Sequence, residues 1–391
     1  METSIFKDQT EVNYDIFASF ISNCRFEKIK QTIKNEGKVT DVYGAAIKDF
    51  DEQYDHSFMQ KAVIPSEEPD MSVNLDHLSE RQKAMLLPLQ EKYKDIGSRG
   101  KHHVGIFPHW EADAQINESI NCFQKCRSHD LPDSAWEDLQ SYKSNNVFAI
   151  ADEGIDRYTA NITLTKRPAT KEQKFSTKAD KNADKINRKK QEEPTEQPKE
   201  TAQRQLYRLS IDFRNVNKAT LNDYTISLPT LQSIENSFQG CFISTFDISN
   251  CFYHLKLNQR SKKYFNFYAR NEIWRHDSLP QGWSSSPKFC NDAMAETFKT
   301  KVLQNFLKTK TEEEQKLFPY THFGQFFTSF VDDLAVHSKK EHGDKIHFLC
   351  IEAVFYALKQ SGWIMSFRKS TIMTNEFVFL GLLWNIESMQ F

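Results

Sequence analysis

FFTSFVDDLAVHS (residues 326–338) sets two adjacent carboxylates, Asp332 and Asp333, inside an apolar run. Phe326, Phe327, Phe330 and Val331 precede them; Leu334, Ala335 and Val336 follow. Short β-branched and aromatic runs favour strands, so the pattern predicts strand, two-residue turn, strand, with Asp332-Asp333 as the turn. That turn has neither the glycine nor the asparagine a tight hairpin prefers. Side-by-side carboxylates at a half-buried strand tip repel each other and resist leaving water. Taken alone, the stretch also suits an acidic surface hairpin.

A third acid sharpens the reading. Asp247 ends the strand-like run CFISTFDI (241–248), and an antiparallel sheet can bring that end beside the hairpin turn. Two unit charges at roughly 4 Å repel by about 4 kcal/mol at an effective dielectric near 20. Hard oxygen ligands with open positions are what Mg²⁺ takes. Two such ions roughly 3.5–4 Å apart stabilise both oxygens of an in-line phosphoryl displacement.

The 391 residues allow two or three domains, and 39% hydrophobic residues with 31 Phe allow a sizeable core. Lys+Arg 51 against Asp+Glu 53 leaves a net charge of −2, so any basic surface is local. The seven Cys are scattered, which suits a reducing compartment better than a disulfide framework. Cys122, Cys126 and His129 match no structural zinc spacing. FVFLGLLW (377–384) is far too short to span a bilayer, and METSIFKDQTEV (1–12) lacks the apolar core of a signal peptide. The expected setting is intracellular, with KINRKK (185–190) a candidate for nuclear import.

Along the chain, residues 1–75 read as a partly helical extension. A helix starts at Ser79, with Gln82 closing a capping box and Met85, Leu86, Leu89 and Tyr93 at helical spacing. Another starts near Ser134 with Glu137 as box partner. NVFAIADEG and YTANITLTK read as strands. Residues 166–206 hold 12 Lys/Arg against 7 Asp/Glu and few apolar residues, and read as a mobile basic insertion. From Leu206 onward, strands LYRLSIDFRNVN and CFISTFDIS, the single helix SPKFCNDAMAETFKTKVLQNFL, the opening hairpin, the helix GDKIHFLCIEAVFYALKQSG ended by Gly362, and the strand EFVFLGLLW follow in order. Strands interleaved with long helices argue α+β, with helices on one face of an antiparallel sheet.

These residues carry a family resemblance. Residues 205–384 resemble the fingers and palm of a reverse transcriptase, as in Gypsy-like LTR retrotransposons and retroviruses. YRLSIDFRNVNKAT (207–220), FDISNCFYHLKL (246–257), LPQGWSSSP (279–287), FVDD (330–333), GWIMSFRKS (362–370) and FLGLLW (379–384) match family motifs in order. LSERQKAMLLPLQEKYKDIGS (78–98) and, more loosely, GKHHVGIFPHWEADAQIN (100–117) resemble the connector before such domains. The resemblance implies a right-hand polymerase. Residues 76–130 would be the connector, 131–240 the fingers with the basic insertion, and 241–391 the palm, ending at the primer-grip hairpin. It implies an RNA-directed DNA polymerase using two Mg²⁺ ions, with Mn²⁺ able to substitute. The partners would be an RNA or DNA template with primer and deoxynucleoside triphosphates.

Carried over position by position, Asp247 and Asp332 would bind both metals, with Asp333 contributing and the Ile248 carbonyl completing a shell. Phe252 would be the steric gate against a ribose 2′-hydroxyl. Gln281 and Gly282 would contact the incoming nucleotide. Arg208 would clamp its triphosphate, a geometry suited to Arg. Lys369 would assist proton transfer to pyrophosphate. Phe379, Leu380 and Gly381 would form the primer grip, and Trp283 would support the site. The bulky Phe252 and LPQG disfavour an RNA-dependent RNA polymerase.

The sequence departs from the family in three places. About forty residues separate the two fingers strands, leaving Lys166 and Arg167 both as fingertip candidates. A polar insert, KTKTEEEQKLFPYTH (308–322), precedes the catalytic hairpin, and the NC of FDISNCF is unusual. No thumb, RNase H or integrase segment is found, so weak, salt-dependent template binding is expected. The alternative reading is a catalytically inert, retroelement-derived nucleic-acid-binding or structural protein.

Overall fold

Alternating apolar residues build a five-stranded sheet, a four-stranded sheet and a two-stranded hairpin among the described residues. The computed structural model describes residues 68–125, 131–151, 158–166, 207–221, 226 and 228–387; for 165, 166, 207 and 208 the description stops at the backbone. The extension 1–67, Cys126, His129 and residues 167–206 with KINRKK lie outside the described residues.

In chain order the elements are α1 (Glu80–Lys92), α2 (Asp133–Ser144), β1 (Phe148–Ile150), β2 (Thr159–Lys166), β3 (Tyr207–Ile211), α3 (Arg214–Ala219), α4 (Leu231–Phe238) and β4 (Cys241–Ile248). Then come β5 (Asn266–Ala269), β6 (Glu272–His276), α5 (Ser286–Thr297), α6 (Thr300–Leu307), α7 (Glu312–Leu317), β7 (Phe327–Phe330) and β8 (Asp333–Lys339). The chain continues with α8 (Gly343–Gln360), β9 (Met365–Thr371), β10 (Glu376–Phe379) and β11 (Leu382–Asn385).

The α1 capping box forms as expected: Ser79 Oγ accepts from the Gln82 N–H at 3.3 Å and Gln82 Oε1 from the Ser79 N–H at 2.9 Å. The box expected at Ser134 and Glu137 does not cap α2. Pro132 is the cap residue, no side chain among the described residues caps the helix, and it starts one residue earlier than Ser134. The long helix expected over 286–307 is two helices. Lys299 is extended between them, and Phe298 turns inward against Phe327, with ring centroids 4.2 Å apart.

β1-β6-β5-β2-β3 form one sheet, in which β2 and β5 run parallel; β7-β8-β4-β9 form an antiparallel second sheet. A boundary at residue 240 therefore does not separate the sheets, since β5 and β6 lie beyond it but pair with β1 and β2. EFVFLGLLW is not one strand but the hairpin β10–β11, turning at Leu380-Gly381.

Side-chain alternation divides β4 and β8 between two faces. Phe246 meets Phe355 of α8, and Ser244 hydrogen-bonds His347 of α8 at 2.8 Å. On the opposite face, Cys241, Ile243 and Ala335 pack with Ile234 and Phe238 of α4 and with Phe377, Phe379 and Trp384 of the hairpin. Helices thus do not confine themselves to one face as expected. Asp247 and Asp333 share the parity of Ile243 and Ala335, so they project away from α8.

The segment before α2 wraps the β9 edge. Gly97 bridges Met365, Ser98 N–H donates to the Met365 carbonyl at 2.9 Å, and His77 Nε2 lies 2.7 Å from the Ile372 carbonyl. Glu352 of α8 ties Lys92 of α1, at 2.7 Å, to Lys310 of the polar insert. That insert is therefore packed into the fold, with Phe318 buried beside Phe306. No helix among the described residues is long and apolar enough to cross a membrane.

Candidate active site

Strand pairing brings the three acids to one edge. Asp247 is the direct cross-strand partner of Asp333, and the Ile248 N–H donates to the Asp332 carbonyl at 3.1 Å. The turn is one residue earlier than expected. Phe330 pairs with Asp333, so Val331 and Asp332 form it, and Val331 takes a left-handed φ of 58°. Such a turn favours glycine at its first central position. A β-branched residue there is an outlier of the kind that clusters at functional sites. The β4–β9 pairing also shifts register between Thr245 and Asp247, a local irregularity at the strand end that carries the first acid.

The electrostatics follow from this crowding. Burial lifts the Asp332 carboxyl above its usual range, and the Asp247 charge adds to it. Burial lifts Asp333 to about 6, with the charges of Asp332 and Asp247 reinforcing it. The Leu380 N–H, donating to Asp333 Oδ2 at 3.3 Å, works against that rise and ties the β10–β11 turn to the site. Lys369 on β9 places its ammonium 2.9 and 3.2 Å from the two Asp247 oxygens. Among the described residues, no group of three or more His, Cys, Asp or Glu side chains is arranged to hold a metal ion. The acids instead line an open edge.

A cleft of about 580 Å³ borders that edge, lined by Phe252, Pro287, Asp332, Asp333, Leu380 and Leu382 among others. Phe252 thus stands over the same space as two of the acids. Gly282 has a φ of 94°, and a Cβ there would stand 3.4 Å from the Ile211 carbonyl at the end of β3. Gln281 precedes it, half-buried in the same turn. Arg208 lies on β3 opposite Thr165 of β2; its side chain is outside the description. Trp283 is buried, donates Nε1–H to Thr220 Oγ1 at 3.0 Å and stacks on Phe289. Phe379 is buried, while Leu380 and Gly381, with φ of 55° and 71°, form the hairpin turn.

Two residues escaped the sequence reading. Asn217 of α3 donates Nδ2–H to the Gly282 carbonyl at 3.0 Å and accepts from the Ser284 N–H at 2.9 Å, fastening the LPQGWSSSP turn to α3. Asn250 sits at a left-handed φ of 54° just past β4. Nothing in one dimension links Asn217 to residues 282–284; the NC oddity was the sole sign of Asn250.

A family model described as reverse transcriptase (RNA-dependent DNA polymerase) matches residues 188–383. The enzymatic polyprotein of Cassava vein mosaic virus is 29% identical over 177 residues, which are 45% of this chain and 23% of that protein. The chain thus spans under a quarter of that curated relative. A structure of the foamy viral protease-reverse transcriptase dRH in complex with double-stranded DNA matches with a TM-score of 0.52 and 18% identity, over 79% of this chain and 44% of that one. The same foamy viral protein in complex with an RNA/DNA hybrid matches with a TM-score of 0.50 and 18% identity, over 87% of this chain and 35% of that one.

Proposed function

Because this chain belongs to the reverse transcriptase (RNA-dependent DNA polymerase) family, we propose that it adds deoxynucleotides to a primer 3′-hydroxyl on an RNA or DNA template. The observation that carries this reading is the pairing of Asp247 with Asp333 across β4 and β8, with Asp332 in the adjoining turn.

Asp247 and Asp332 would hold Mg²⁺ or Mn²⁺, with Asp333 and the Ile248 carbonyl as further oxygens. The donor set fits. Magnesium takes one or two carboxylates and keeps positions for water and substrate phosphates, so an open acidic edge suits it better than a cage. The raised proton affinities of Asp332 and Asp333 are what a nearby cation relieves. When bound, the ions neutralise phosphate charge and favour ionisation of the attacking hydroxyl.

The chain's own groups position the reactants. Strands β4 and β8 fix the carboxylates, and positioning of this kind supplies much of phosphoryl-transfer catalysis. The 3′-oxygen bonds to the α-phosphorus as the bond to the pyrophosphate oxygen breaks. Phe252 fills the space a ribose 2′-hydroxyl needs. Gln281 and the Gly282 backbone meet the nucleotide, and Arg208 reaches its triphosphate. Lys369 gives a proton to the departing pyrophosphate. Phe379, Leu380 and Gly381 hold the primer end, and the bond from Leu380 to Asp333 couples that grip to the acids. Residues 131–240 contribute mainly to fingers, 241–391 mainly to palm.

Extension of a DNA primer on an RNA template with labelled deoxynucleotide and Mg²⁺ or Mn²⁺ tests the reading. Asp332→Asn is expected to lower the rate by about a thousandfold or more. Its thermal midpoint should match or exceed wild type, since a desolvated carboxylate becomes a neutral amide. Full activity in this variant would overturn the assignment.

A further inference from the structure

The turn that carries Phe252 is held from outside the sheet. At Asn250 the chain leaves β4 with φ 54° and ψ 39°. Asparagine tolerates this region better than most residues. Its side chain is nevertheless committed to distant partners. Oδ1 accepts from the Tyr142 hydroxyl of α2 at 3.1 Å. Nδ2 donates to the carbonyls of Lys101 at 2.9 Å and His103 at 3.3 Å, both in the segment that wraps the second sheet. Its backbone carbonyl receives the Tyr253 N–H at 2.8 Å and His254 Nδ1 at 3.3 Å. His254 Nε2 accepts the Ile364 N–H at 3.0 Å, which puts the ring proton on Nδ1 and makes that nitrogen a donor to Asn250. Both ends of the Asn250 amide, and its carbonyl, are thus engaged two residues before the gate.

We propose that Asn250 is a positioning residue for sugar selection, fixing the Cys251–His254 turn so that Phe252 stands at the depth where it excludes a 2′-hydroxyl. This rests on the reading of Phe252 as the gate. Through Tyr142, Lys101 and His103, discrimination between deoxy- and ribonucleotides becomes a property shared by three chain segments. The amide is suited to the place: a carboxylate would set an acceptor against two carbonyls, and glycine would keep the backbone angle but lose every side-chain bond.

The test compares the ratio of kcat/KM for deoxy- over ribonucleotide in the full chain and in three variants, Phe252→Ala, Asn250→Gly and Tyr142→Phe. Asn250→Gly is expected to lower the ratio about tenfold and Tyr142→Phe about threefold, mostly through a lower KM for the ribonucleotide. Tyr142→Phe removes one hydroxyl and keeps the ring, so it serves should Asn250→Gly fail to fold. Hydrogen exchange at the Tyr253 amide gives a readout independent of turnover; it should quicken in Asn250→Gly while the Ile248 amide stays protected. Relaxed discrimination in Phe252→Ala, with wild-type ratios in the other two variants, overturns the proposal and leaves the gate standing. Unchanged discrimination in Phe252→Ala removes gate and proposal together. Unchanged Tyr253 exchange in Asn250→Gly also overturns it.

Discussion

Lys369 rests on Asp247 although 65% of its side chain remains exposed, against 23% for the acid. Exposed ion pairs contribute about 0–1 kcal/mol. Lys369→Gln should therefore change the unfolding free energy by less than about 1 kcal/mol. If Lys369 delivers a proton to pyrophosphate, kcat should fall by about a hundredfold or more. Urea unfolding and single-turnover extension separate the two effects; an unchanged kcat would reduce Lys369 to a salt bridge. At this scale the acids were legible because charge inside an apolar run conflicts with burial, and such conflicts mark functional positions. Asn217 and Asn250 were not, because an asparagine in a short helix or a turn breaks no local rule. Their meaning lies in partners 65 and 149 residues away.

Elements were legible where a local signal has no competitor. Gly362 ends α8 as the sequence indicates. Its N–H bonds the Lys359 carbonyl at 3.3 Å and the Trp363 N–H bonds that of Leu358 at 3.0 Å, the paired bonds of a Schellman end. The hairpin tip was misplaced because a β-branched Val331 looks like strand, and its positive φ is a tertiary outcome. The Val331 carbonyl lies 3.9 Å from the Cys290 thiol of α5, part of the packing that holds it. The two helix ends differ in what surrounds them. Gly362 has φ +68°, and a Cβ there would fall 2.1 Å from the Ile106 carbonyl oxygen; Gly240 has φ +65°, and a Cβ there would meet nothing within 4 Å among the described residues. Gly240→Ala should cost about 1–2 kcal/mol, the left-handed penalty alone. Gly362→Ala should cost clearly more, since backbone must also move. Equal losses in chemical denaturation would mean the wrapping segment is not seated against α8.

At the scale of the whole molecule, the order of motifs foretold an α+β polymerase fold, but the closure of segment 68–125 over the β9 edge was not readable. That closure rests on backbone bonds such as Ser98 to Met365, which leave no trace in residue choice. Four imidazoles lie sealed inside the fold. His254, His276, His337 and His347 are buried, and burial pulls each down to about 3. His276 sits among Phe148, Phe213 and Phe267, and among the described residues no group meets hydrogen-bond geometry with either ring nitrogen. An unfolded chain protonates these rings near 6.5, whereas the fold keeps them neutral. Between about 6.5 and 3 the unfolded state therefore binds more protons, and stability must fall as pH falls. Each such ring contributes about 1.4 kcal/mol per pH unit within that window. Asp333, held up to about 6, and Asp332, also raised, bind their protons more readily when folded and so oppose the loss, while His103 and His109, pulled down by burial as well, side with the four rings. The net expectation is a nearly flat unfolding free energy between about pH 7 and 8 and a steep decline from about pH 6.5 to 5, measured by urea titration at fixed ionic strength. A stability that held level to pH 5 would mean that these rings take up protons inside the fold, and that the sealed core described around them opens to solvent.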